Sequence, residues 1–453
     1  MTPNCCKGFT RTEMLRHGVA EAGRGLPRIE PGMPAPAGTG LTRRSLMVRG
    51  FASGLAVYGA SKLGLGALEE GIAEAATGSP SSRVLVSVFM AGGVDSLSVL
   101  APVGDSRYAS LRPTLRLLPG EGPTFSEDAR LMWHPSASGL RTLHGEGKVG
   151  VLPAVGYASP DQSHFTSQHY WEVGALDPGA QYGWMGRFLD QHGSPTNPLQ
   201  GLSVGWSLSP ALAPSRNPVA AVSRLDDYRL SAPGVHDDMD DLMYAAIGTL
   251  GRLPSEDAHR QRARSVAGQV DGIRAALGPF QGGISAPVSY PSGTFASRLK
   301  GVAAGIQGGL PLRCVAIEAP GGYDTHSGQL ESFGDDLKAT SDGLLAFQRD
   351  LEARGIADRV LTLVWSEFGR RPQQNGTGTD HGAAGVGFVI GSQAKGRMVG
   401  EFPGLSTLDA QGNLRSTSDF RALYSSLLEQ WFQVDAAPII PGAGSYGRYG
   451  LVR

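Results

Sequence analysis

Residues 83–100 read RVLVSVFMAGGVDSLSVL. From Val84 to Met90 the run is almost continuously β-branched and apolar, as a strand buried on both faces requires, and it ends at Gly92-Gly93. A glycine pair at that point lets the backbone turn sharply or pass close to a neighbour. Asp95 follows directly, so a carboxylate stands just beyond the carboxyl end of a buried strand.

Four further runs share this pattern: KVGVLPAVG (148–156), LRCVAIEAPGG (312–322), RVLTLVWSEFG (359–369) and GVGFVIG (385–391). Helical patterns separate them. Leu330, Phe333, Leu337, Leu344, Leu345 and Leu351 recur at helical spacing, and the pattern stops at Gly355 as a C-terminal cap would have it. Further helices are expected over 255–277 and 418–432. This alternation predicts a three-layer α/β/α domain with a mainly parallel central sheet over residues 82–453. Residues 205–309 are richer in helix and loop signals and are expected to form an insertion or cap within it.

Bulk composition narrows the function classes. With 453 residues, 41% of them apolar, the chain can bury one large core or two ordinary ones. A formal net charge of -1 gives no whole-chain attraction for nucleic acid, so none is expected as a partner. No periodic repeat points to a solenoid or propeller. The cysteines are Cys5, Cys6 and Cys314. Cys314 lies in an apolar run and reads as a small core residue, with no internal disulfide expected.

Residues 1–81 read as an N-terminal extension, an export signal and a linker. Arg43 and Arg44 stand in a T-R-R-x-L setting ahead of a weakly apolar, glycine- and alanine-rich stretch, the layout of a twin-arginine signal. Arg49 and Lys62 interrupt that stretch, which argues against a permanent membrane span of about 20 residues. Ala73-Glu74-Ala75 offers a small-x-small cleavage site. Export by the twin-arginine machinery to the periplasm or beyond is the expectation.

In a sheet of this kind, ligands gather outside the carboxyl ends of the strands. Asp95 follows the first strand, Ser163 and His164 open a helix after the second, Asp324 and His326 follow the third, and Glu367, Asp380 and His381 follow the fourth. Each has an ordinary explanation when taken singly, Asp95 and Ser163 as helix caps and the Asp/His pairs as solvated turns. Their joint occurrence at successive strand ends points to a divalent metal, and the Asp/His mixture to zinc or manganese more than calcium. Two ions about 4 Å apart would serve an in-line displacement. Ser163 could act as nucleophile, with His164 beside the substrate. Arg370 and Arg371 are candidates for gripping an anionic group through paired hydrogen bonds.

GGVDSLSVLAP (92–102), SHFTSQHYWE (163–172), GGYDTH (321–326), SEFGRR (366–371) and GTDHG (378–382), in that order, resemble a family of twin-arginine-exported bacterial proteins of undefined function. That family in turn resembles the alkaline phosphatase and sulfatase superfamily. The resemblance implies an alkaline-phosphatase-like fold, one or two metal ions and a small phosphate or sulfate ester as substrate. It places Asp95 as the first-strand ligand, Ser163 as the nucleophile, and Asp324 and His326 as ligands of one site. The last ligands admit two alignments: Asp380 with His381, or Glu367 at the strand end with Phe368 in place of a histidine and His381 as the late one. Either leaves a two-metal set one ligand short, so a non-catalytic metal- or anion-binding protein on the same fold is the alternative.

Overall fold

The computed structural model describes residues 55–58, 83–205, 207–227, 240–257 and 270–453, with residues 260, 261, 264, 267 and 268. Cys5, Cys6, the paired arginines and the Ala73–Ala75 cleavage site lie outside the described residues.

The strands that matter here are β1 (Leu55–Tyr58), β2 (Val84–Phe89), β3 (Val149–Gly156), β4 (Gly201–Val204), β5 (Val219–Val222), β6 (Cys314–Glu318), β7 (Val360–Trp365), β8 (Arg370–Asn375), β9 (Gly378–His381), β10 (Gly385–Ile390) and β11 (Ser418–Asp419). The main helices are α1 (Ser138–Gly145), α2 (His164–Val173), α3 (Trp184–His192), α4 (Asp240–Arg252), α5 (Val270–Leu277), α6 (Thr294–Gln307), α7 (Gln329–Ala353) and α8 (Phe420–Leu427).

Among the described residues, nine strands form one sheet in the order β1-β5-β4-β6-β2-β7-β10-β3-β11. Pairing is parallel from β5 through β7 and between β3 and β11. β1 and β10 run against their neighbours. Alternate residues of β2 feed two separate cores, which is why the run reads as continuously apolar. Val84, Val86 and Val88 pack with α1, α6 and α7, whereas Leu85 and Phe89 pack with α3 and α8. The architecture is therefore helix layer, mainly parallel sheet, helix layer.

Two expectations are corrected. GVGFVIG, read as another parallel strand, is the antiparallel β10. A parallel return needs a crossover of a dozen or more residues, usually helical. The chain between β7 and β10 instead forms the β8–β9 hairpin, which stays at the rim and re-enters the sheet from the end it left. Within 205–309, expected as an insertion or cap, Val219–Val222 is a strand of the central sheet and α6 belongs to the first core. Only part of the helix expected over 255–277 falls on described residues, as α5.

Among the described residues, no helix is long and apolar enough to cross a membrane.

Candidate metal centre

Four segments meet at the rim where β6 and β7 end. β6 leads through Gly321-Gly322 to Asp324 and His326, β7 leads to Glu367, α2 begins at His164, and β9 ends at His381. Asp324 Oδ1 is the point of convergence. His326 Nε2 lies 3.1 Å from it, and the Nε2 atoms of His164 and His381 each lie 3.3 Å from it. His326 Nε2 is also 2.9 Å from His381 Nε2. One ligand atom from each of His164, Asp324 and His381 falls within 4.8 Å of the others.

The outer faces of two imidazoles are fixed. His164 Nδ1 lies 2.7 Å from Glu367 Oε1, and His381 Nδ1 lies 2.7 Å from the carbonyl oxygen of Gln162. Those oxygens accept, so each Nδ1 carries the hydrogen and the neutral ring keeps its lone pair on Nε2. Both lone pairs then face a carboxylate oxygen. Acceptors packed this closely repel unless a proton or a cation lies among them. Burial disfavours charge on His164, but Asp324 and Glu367 outweigh it and raise its pKa. For His381, burial prevails and the pKa falls. Burial would raise the Asp324 carboxyl, yet the three imidazoles and the Arg370 charge hold it well below the usual carboxylate range. Two imidazole nitrogens oriented from behind and one carboxylate oxygen could hold a divalent metal ion.

The glycine pair after β2 makes the site compact. Gly92 has φ +110, and a Cβ there would lie 2.4 Å from the backbone nitrogen of Asp324. Gly93 has φ +71, and a Cβ there would lie 2.3 Å from the Phe368 ring. Only glycine allows both that conformation and that approach. The Gly92 N–H donates to Glu367 Oε1 at 2.9 Å, so the same turn also orients the carboxylate behind His164.

The other expected residues stand as follows in the fold. Asp95, expected as a metal ligand, is fully buried in an ion pair with Arg112, at 2.5 Å and 2.8 Å, with Ser98 Oγ at 2.6 Å and Gln329 Nε2 at 2.5 Å. Both its oxygens are engaged, and it is not in the converging group of His164, Asp324 and His381. Glu367, also expected as a ligand, turns its carboxylate to His164 Nδ1, Gly92 N and Ser366 Oγ and stands behind the His164 ring. Asp380 plays the matching part for His326, 3.4 Å from its Nδ1. His164, expected against the substrate, groups with Asp324 and His381. Ser163 caps α2, its oxygen accepting from Thr166 N at 3.5 Å. Arg370, expected to grip an anionic group, is fully buried and donates to the carbonyls of Gly92, Gly93, Thr379 and Tyr323 and to Asp324 Oδ1. Arg371 is half-buried, with Nε on the His381 carbonyl at 3.2 Å.

Sequence reading missed Arg112 and Gln329, and named Phe368 only as the replacement of a histidine. Arg112 stands between Leu111 and Pro113 with no motif around it. Gln329 joins Asp95 to the site through Thr325 and Thr379, whose hydroxyls donate to its Oε1 at 3.0 Å and 2.9 Å. The buried Phe368 ring lies 4.8 Å from the His164 ring and 5.0 Å from the His381 ring, forming an apolar wall. Phe368 lies inside the quoted motif SEFGRR (366–371), whereas Gln329 and Arg112 lie outside every quoted motif.

Residues 307–437 match the model of a family described as a protein of unknown function (DUF1501). No curated protein matches the chain. Among solved structures, similar chains include an alkaline phosphatase superfamily protein from Vibrio parahaemolyticus, at 9% identity over 86% of this chain and 72% of that one, with a TM-score of 0.35. Another is the lipoteichoic acid synthase LtaP from Listeria monocytogenes, at 7% identity over 78% and 73%, TM-score 0.32. A third is the PsFucS1 sulfatase from Pseudoalteromonas sp., at 9% identity over 81% and 72%, TM-score 0.33.

Proposed function

Taking residues 307–437 as a DUF1501 segment, we propose that the protein holds one divalent metal ion on His164, Asp324 and His381, with His326 as a further donor, and hydrolyses small phosphate or sulfate esters. The single supporting observation is the convergence of imidazole nitrogens on Asp324 Oδ1 with their outer nitrogens already committed. When bound, such an ion would supply Lewis-acid polarisation of an ester oxygen. One ion is favoured over two because Arg112 compensates Asp95 and the Phe368 ring fills the place that one alignment gave to a histidine.

The chain's own groups divide the remaining work. Glu367 and the Gln162 carbonyl hold two ligand imidazoles in one tautomer, and Arg370 fixes the Asp324 carboxylate. Ser163 stands one residue before His164 at the N-terminus of α2, where helix N–H groups favour an anion, and its hydroxyl is the proposed nucleophile. Arg371 is assigned to the substrate's anionic group. The twin-arginine signal supports export of the folded protein.

The test is metal analysis of protein purified without chelator, then turnover on phosphate- and sulfate-ester panels by the wild type, Ser163→Ala and His381→Ala. Stoichiometric metal, metal-dependent turnover and its loss in both variants are expected. Absence of stoichiometric metal overturns the reading. A second reading is a non-catalytic metal-binding protein, favoured by the burial of Arg370 and the capping role of Ser163; bound metal without turnover selects it.

A further inference from the structure

The rim opposite the metal centre, where β3 begins and β10 ends, carries a knot of glycines and cations. Gly391 N donates to the Lys148 carbonyl there, and the chain then turns at Lys395-Gly396-Arg397. The turn is fixed from both sides. Lys395 N donates to the Leu451 carbonyl at 2.8 Å, Arg397 N to the Lys395 carbonyl at 2.8 Å, and Val151 N of β3 to the Arg397 carbonyl at 3.1 Å. Gly396 is pressed onto Gly147: a Cβ there would lie 2.1 Å from the Gly147 carbonyl carbon, so only glycine fits. Arg453 braces the same point, its Nε donating to the Ala394 carbonyl at 3.1 Å and its Nη2 to the Gly147 carbonyl at 2.7 Å.

This backbone brings two cations together, the half-buried Lys395 and the exposed Arg397. A Cβ on Gly450 would lie 2.7 Å from Arg397 Nη2 and 3.3 Å from Lys395 Nζ, so the two nitrogens are at most 6.0 Å apart. Among the described residues, neither side chain has a hydrogen-bond or ion-pair partner. Carboxylates near the turn are committed elsewhere: Glu127 to Met398 N and His144 Nε2, Glu146 to Lys148 and Arg349, and Asp358 to Gln393 Nε2. Like charges at this range repel unless an anion lies between them. Charge-assisted bonds from nitrogen to oxygen run about 2.7–2.9 Å, so one tetrahedral oxyanion can present an oxygen to each cation. The planar fork of a guanidinium matches phosphate geometry. A phosphate dianion balances both charges, whereas a carboxylate balances one.

We propose that Lys395 and Arg397 bind a phosphate group, free in solution or on the headgroup of an anionic lipid. The site is independent of the metal centre, and the test is run with chelator present so that failure of either reading is seen separately.

The experiment is calorimetric titration of the full chain with inorganic phosphate, and flotation with phosphatidylcholine vesicles made with and without phosphatidic acid. The wild type is expected to bind phosphate or the phosphatidic acid vesicles. Lys395→Gln combined with Arg397→Gln is expected to weaken that binding at least tenfold with an unchanged thermal midpoint, and His381→Ala, at the other rim, to retain it. Binding of inorganic phosphate identifies a soluble ligand; flotation with phosphatidic acid vesicles and no binding of inorganic phosphate identifies a lipid headgroup. No binding of inorganic phosphate, together with no preference for vesicles containing phosphatidic acid, overturns the proposal without reliance on any variant's fold. Binding that the paired substitution weakens less than tenfold, or that His381→Ala abolishes, overturns it as well.

Discussion

Glu367 Oε1 lies 2.7 Å from Nδ1 of His164 and accepts the Gly92 N–H at 2.9 Å, so one buried carboxylate ties the end of β7 to the turn after β2 and to the start of α2. Burial would raise the Glu367 pKa, but His164 and the Gly92 N–H lower it, and the group stays ionised behind the imidazole. Such an arrangement orients a metal ligand from behind.

Glu367→Gln is therefore expected to lower metal affinity by about 10- to 100-fold while leaving the ligand count intact. Competition with a chelator of known affinity measures the change. An unaltered affinity would show that His164 is not held for a metal by this contact.

Metal stoichiometry is expected to be one ion per chain, lost in His164→Ala, Asp324→Asn and His381→Ala. His326→Ala should weaken binding less, because the His326 side chain is 33% exposed against 4% for His164. Removal of the ion should lower the thermal midpoint of the wild type, since a ligand at 100 times its Kd stabilises the folded state by about 2.7 kcal/mol. A midpoint indifferent to chelator counts against the site.

Arg112→Met leaves the fully buried Asp95 without its cation and is expected to cost about 3–5 kcal/mol, measured by urea unfolding at neutral pH. Asp95→Leu combined with Arg112→Met should recover much of this loss, because replacing both partners leaves no uncompensated charge. The pH dependence has a definite sign. Burial raises the Asp95 pKa, but Arg112, Ser98 and Gln329 more than reverse this, so the folded value lies below 3.8. The pair's contribution is thus complete above the unfolded aspartate value of about 3.9 and is lost as pH falls through the folded one. Chelator-treated wild type should destabilise over that acidic window, whereas the double variant should lack this part of the loss.

Cys314 is fully buried, and burial pushes its thiol up to about 12. In a Cys5→Ser, Cys6→Ser background, a thiol reagent should leave the native protein unmodified at neutral pH and react with one equivalent after unfolding. Rapid labelling of the native state would contradict the packing of β6.

The alternating layers could be read directly from the chain, because a strand between two helix layers must be apolar on both faces, as Val84–Phe89 and Val360–Trp365 are. The metal-centre candidates were equally visible as residue types at strand ends, since parallel strands deliver their carboxyl ends to one rim. Antiparallel β10 was not visible, for its apolar run has the same composition as a parallel neighbour; direction was settled by the path of the hairpin before it.

The sequence by itself determined which carboxylates and imidazoles reach the rim. Only the tertiary structure decided how each is used, because a carboxylate's role depends on the charge that arrives beside it from distant parts of the chain. Arg112 captures Asp95, Arg370 braces Asp324, and Glu367 turns to His164, all through contacts between residues 17 to 203 positions apart.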